Sequence, residues 1–180
     1  MLAWRRLRAA GAVNLQHGVW ILPQHPEQEG FLRDLIEELK PQGGSGWAFV
    51  ASAPIAEVDE DIIERFRRDR DEDYTEFCER CDDFLIEIEK ETQEQKFTFA
   101  ELEENEVDLE KLEGWLAKIQ ARDFFGGHRE KDAVASLARC RDVLDDFAQT
   151  IYQREGLEAS DPEPAACEIL AAKDLTGGER

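Results

Sequence analysis

At 180 residues the chain has room for one domain with its own core, or for a compact head with a helical extension, but not for two full domains. A formal charge of -20 opposes non-specific attraction to phosphate backbones and anionic lipid heads, so any nucleic-acid role must rest on a local basic patch. Apolar residues at 42% beside charged residues at 36% fit long amphipathic helices, whereas no segment approaches the ~20 apolar residues of a membrane span and no signal-peptide apolar run follows the first arginines. The chain therefore reads as cytoplasmic, with no membrane partner.

The charge is uneven. From Met1 to Pro26 there are three arginines, Arg5, Arg6 and Arg8, and no acid; Glu27 is the first. Residues 1–10 read as a short helix with Trp4 and Leu7 on one face and the arginines beside them, ended by Gly11. Ala12–Leu15 and Val19–Leu22 are short β-rich runs joined through Gln16-His17-Gly18, where Gly18 supplies the positive φ of a tight hairpin. Between Glu27 and Lys40 the residues Phe31, Leu32, Leu35, Ile36 and Leu39 recur at helical spacing until Pro41 and Gly43-Gly44. Trp47, Phe49 and Val50 then suggest a third strand.

After Pro54 the pattern turns helical. Val58, Ile62, Phe66, Tyr74, Phe77, Cys81, Leu85 and Ile88 form a 3-4 stripe over about 57–93, and its middle, Arg67 to Asp73, is charged all round and expected in water or at a partner surface. Thr98 to Glu101 is a capping-box pattern opening a second helix with Leu102, Leu109, Leu112, Leu116 and Ile119. Beyond Gly126-Gly127 a third helix carries Val134, Leu137, Cys140, Leu144, Phe147 and Ile151. Three such stripes predict an antiparallel bundle or long helical hairpin. The expected organisation is a head over 1–54, a helical bundle over 55–156 and a disordered acidic tail over 157–180: an α+β chain that is mainly α.

The order helix, hairpin, helix, strand looks like a ferredoxin-like unit without its first strand. Trp4-Arg5-Arg6-Leu7-Arg8, Gly11 to Leu15, Gly18 to Pro23, Trp115 to Ile119 and Arg122 to Gly126 together resemble the N-terminal domain of the chromate-resistance regulator ChrB, over nearly everything up to Gly156. The resemblance implies a role in chromate-responsive control of an efflux operon, with chromate as a ligand for which no site is defined. The Trp-Arg-Arg helix and hairpin are also similar to the middle domain of PaaX-type repressors and to small CRISPR adaptation nucleases. The acidic metal ligand of those nucleases sits at the end of the first strand, whereas this chain begins at or inside the following helix, so nuclease activity is not implied. Nor does the chain carry the C-terminal domain of full-length ChrB. A missing interior strand leaves unpaired edges, so the head is expected either to pair in a dimer or to be aggregation-prone, and protein association is the main partner class.

Little else carries chemistry. His17, His25 and His128 have no Ser or Cys partner at a motif spacing, and neither a Walker loop nor a Gly-rich dinucleotide turn occurs, so no enzyme and no cofactor are expected. Arg5, Arg6 and Arg8 are the candidate DNA contacts, the alternative being a helical protein-interaction module without DNA binding. Arg65, Arg67, Arg68 and Arg70, interleaved with acids, read as i,i+4 pairs, and Arg122 as a partner of helix-terminal carbonyls. Cys78-Glu-Arg-Cys81 is a C-x-x-C without a second ligand pair, which makes the two cysteines weak metal candidates and better core residues. His128 or Cys140 could complete a site only through tertiary placement. Elemental analysis of protein purified without chelator is expected to give well under one equivalent of zinc or iron; a stoichiometric metal would overturn the core reading of Cys78 and Cys81.

Overall fold

The computed structural model describes residues 2–156, and the expected tail lies outside the described residues. Helix α1 (Leu2–Ala9) leads into a hairpin of β1 (Val13–Gln16) and β2 (Val19–Ile21), followed by α2 (Pro26–Leu39), a single 3-10 turn (Lys40–Gln42), and the long helices α3 (Ala56–Gln93), α4 (Phe99–Gln120) and α5 (Glu130–Arg154). The chain is α+β and mainly α.

Local chemistry accounts for most boundaries. Pro26 sits in the first turn of α2, where its missing N–H costs nothing, with Glu27 and Glu29 facing the positive helix end. Thr98 caps α4, its hydroxyl accepting from the Glu101 amide at 3.3 Å, as the capping pattern requires. In the hairpin Val13 pairs with Ile21 and Asn14 with Trp20. The Asn14 side chain donates to the Gln16 and Val19 carbonyls, both at 3.1 Å, and closes the turn.

The third strand does not form. Residues 44–53 have no regular structure, and Trp47, Phe49 and Val50 stand 79%, 85% and 69% exposed. A ferredoxin-like sheet would pair that segment with a strand preceding the arginine helix, and among the described residues only β1 and β2 are strands. An extended segment without a neighbour has no ladder to join.

The three long helices run up, down and up. Glu91 of α3 meets Asn105 of α4, Glu113 of α4 meets Arg141 of α5, and Cys81 and Gln95 lie beside Cys140 and Arg154 at the same offset, so α3 and α5 are parallel with α4 reversed. The α3 stripe is Phe66, Arg70, Tyr74, Phe77, Cys81, Phe84, Ile88 and Glu91, which from Arg70 onward alternates steps of four and three, a spacing that suits bundle packing. Phe84 is buried in place of the expected Leu85, while Val58 is exposed because the bundle core starts only at Tyr74. On α5 the stripe runs through Ala133, Leu137, Cys140, Leu144, Phe147 and Ile151, so Val134, one position off, faces outward.

One polar pair lies within this interior. Asn105 donates to Glu91 Oε2 at 2.7 Å and to the Glu101 carbonyl at 3.0 Å. Burial, above all, raises the Glu91 carboxyl above the ordinary glutamate value of 4.5; the bond from Asn105 opposes this and the neighbouring Glu101 adds to it. Since the folded chain holds this proton more tightly than the unfolded one, its contribution to stability is complete at low pH and is lost as pH rises through the raised folded value. Glu91→Gln is therefore expected to stabilise the protein at pH 7 by on the order of 1 kcal/mol and to leave it unchanged at pH 4. Thermal unfolding at the two pH values checks this, and an equal effect at both would remove the charge from the explanation.

Candidate functional site

Head and bundle meet at the loop between α4 and α5, Ala121 to Arg129. Asp123 anchors it: its Oδ2 accepts from the Tyr74 hydroxyl at 3.0 Å and from the Gly127 amide at 2.7 Å. Burial, and then the Asp123 carboxylate beside it, push the Tyr74 hydroxyl well above its ordinary value, so it remains a donor. Asp71, one turn earlier on α3, takes the Arg129 amide on Oδ1 at 3.0 Å and meets His128 Nδ1 on Oδ2 at 2.9 Å. That carboxylate supplies the N-terminal cap that α5 lacks locally, because Arg129 makes no side-chain cap of its own. A side chain at Gly127 would come within 2.9 Å of the Tyr74 ring, so only glycine allows this approach.

The head rests on the same loop. Gly11, with φ +80°, packs so closely that an added Cβ would lie 3.0 Å from both the Arg122 Cβ and the Phe124 ring. Ala12 and Val13 are buried beside it. Phe66 of α3 meets Phe124 edge-on at 6.2 Å and Phe125 at 5.2 Å. The charged middle of α3 is thus covered on one side rather than standing in water. Arg70, only 6% exposed, is ion-paired with Asp73 at 2.9 Å, and Arg122 approaches the same Asp73 oxygen at 3.3 Å. Arg67 donates to the Phe125 carbonyl at 3.3 Å. The i,i+4 pairing expected for these arginines is replaced by an i,i+3 pair and by tertiary partners, because the loop brings carbonyls and a second arginine to this face. Arg122 does donate to a helix-terminal carbonyl, that of Lys118, at 3.0 Å. Burial lowers the Arg122 pKa, Asp73 opposes the shift, and nearby Arg70 and Arg8 add to it.

The three candidate DNA contacts are not equivalent. Arg6 is ion-paired with Glu38 of α2 and lies over the Phe31 ring at 5.7 Å, tying α1 to α2. Arg8 stacks on Trp4 at 5.3 Å and is exposed, as is Arg5. Arg5 and Arg8 are therefore the two presented to solvent.

The thiols lie elsewhere, between α3 and α5. Cys81 and Cys140 are fully buried, with the Cys140 thiol donating to the Cys81 carbonyl at 3.6 Å, and Cys78 is half-buried with the Ser136 hydroxyl 3.8 Å away. Its hydrogen bond with Cys140, and then burial, raise the Cys81 pKa and keep the thiol protonated. His128 is at Asp71, away from the cysteines. Among the described residues no group of three or more His, Cys, Asp or Glu is placed to hold a metal ion.

Asp71, Tyr74 and Asp123 were not distinguishable in sequence among 42 acids and a regular apolar stripe; the one local cue was the Gly126-Gly127 pair after Asp123. Tyr74→Phe deletes one of the two donors to Asp123, whose other oxygen is already buried without a partner. The expected cost is about 1–3 kcal/mol in thermal or denaturant unfolding, with faster amide exchange confined to the Asp123–Arg129 loop and the start of α5. Unchanged stability would show that the hydroxyl does not anchor the loop.

Neither the curated proteins nor the solved structures contain a match. A family model does match, the one described as "Protein ChrB, N-terminal", over residues 1–158, a span that takes in the arginine helix, the hairpin, all three bundle helices and the loop that clasps them. The chain therefore belongs to the ChrB N-terminal family, a chromate-resistance regulator-type domain and not a known enzyme family.

Proposed function

We propose that this chain is a non-catalytic regulatory module linked to chromate- or oxyanion-responsive control of transcription, reaching DNA phosphates through the exposed arginines of α1. The observation that carries this reading is the placement of Arg5 and Arg8 on a solvent-facing turn while Arg6 is used internally to hold α1 against α2. Charge distribution supports it. Up to Pro54 five cations (Arg5, Arg6, Arg8, Arg33, Lys40) balance five acids (Glu27, Glu29, Asp34, Glu37, Glu38), so the formal charge of -20 falls wholly on the later residues. A polyanion would approach the head first and be turned away from the bundle. Chromate enters only as the stress to which the family is tied, and no residue is assigned to bind it.

The acidity of the bundle favours a second reading, a helical protein-interaction module without DNA contact, and the same experiment separates the two. In gel-shift titrations with the protein's own promoter DNA, the Arg5→Ala/Arg8→Ala variant is expected to weaken binding and to lower the salt slope by about two, roughly one per lost phosphate contact. Arg6→Ala is expected to act instead through stability, loosening α1 from α2. No shift of promoter DNA at low salt would leave the protein-interaction reading in its place.

A further inference from the structure

The segment between the 3-10 turn and α3 has no role in anything described so far. From Pro41 to Ala56 it contains no charged residue, in a chain where 36% of residues are charged. Trp47, Phe49, Val50 and Ile55 are all more than half exposed. The backbone is equally unengaged: among the described residues no backbone hydrogen bond involves positions 45–54. Free amides and carbonyls next to β-forming aromatic side chains are the makings of a strand without a sheet.

We propose that this segment is a self-association surface, where two copies of the chain pair through Trp47–Ile55. Area supports a second copy as the occupant. Two aromatic side chains of roughly 150–250 Å² each, with Val50 and Ile55, offer about 500–600 Å² per copy, at the upper end of the largest apolar patch that a monomer usually exposes. Doubling this gives about 1,000–1,200 Å², which reaches the lower end of specific interfaces. Charge selects the same place. Two copies repel through the residues after Pro54, which carry the whole formal charge of -20, whereas the head carries no net charge and this segment not even local charge, so like chains can approach here without a Coulombic penalty. An uncharged segment offers nothing to phosphates, which separates this surface from the α1 arginines and makes the proposal independent of DNA binding. Pairing also supplies hydrogen-bond partners for the open backbone in a way that side-chain burial alone would not.

The test is size-exclusion chromatography with light scattering on the full chain at micromolar concentration, together with hydrogen exchange over residues 45–54. The expected result is a defined species of about twice 20.6 kDa with slowed exchange in that segment. Trp47→Ser/Phe49→Ser should weaken association by at least about 30-fold and restore fast exchange there. Helical circular dichroism should not change, because neither side chain belongs to the bundle core. A monomer with fast-exchanging 45–54 amides, a dimer that survives the double substitution, or aggregates of no defined mass would each overturn the proposal, the first of these leaving the surface to a different protein.

Discussion

The structure depends on one carboxylate. Asp123 sits in a loop that must cross between two helices, and it is held there by the Tyr74 hydroxyl and by its own turn at Gly127. Because Tyr74 lies at the end of the bundle core, that contact couples the loop to the packing of α3. Because Gly11 and Phe66 pack on the neighbouring Arg122, Phe124 and Phe125, the same contact sets where the head sits. Asp71 completes the arrangement by capping α5, so the start of one helix and the middle of another share an anion. Removing an interaction of this kind leaves a partly buried carboxylate short of a donor as well as losing a bond, and so its effect is larger than that of a surface ion pair.

Around this clasp the molecule is electrically divided. The bundle carries negative charge on its outer faces, and only a minority of its acids are in short-range pairs such as Lys90 with Glu87 and Lys111 with Asp108, which add little stability individually. The head is neutral overall and holds both uncharged stretches, one around the hairpin and one from Pro41 to Ala56. Within it the arginines of α1 divide their work: Arg6 maintains the packing of α1 on α2 while Arg5 and Arg8 face outward. A domain of the ChrB N-terminal family thus places its outward arginines and its uncharged stretches at one end and its excess negative charge at the other.

The sequence by itself determined the elements. Apolar residues at three and four spacing place α2 and α3 within a residue or two of where they lie and reveal α4 and α5, since helix burial requires that period whatever the partner, although α4 stops at Gln120, short of the Gly126-Gly127 expected to end it; Thr98, Pro26 and the Gln16-His17-Gly18 turn act through bonds made inside the same few residues. The arginine helix and the segments shared with the family were equally legible, because they are runs of adjacent residues. Tertiary structure decided whatever depends on a partner far along the chain. Trp47, Phe49 and Val50 have strand chemistry, but a strand exists only with a neighbour, and none is present among the described residues. The arginines of α3 look solvated by composition, yet a loop more than 50 residues later covers Arg70 and claims Arg67. Asp71, Tyr74 and Asp123 form the clasp only because α3 and α5 run parallel and α4 returns between them, and no spacing within a single helix encodes that meeting.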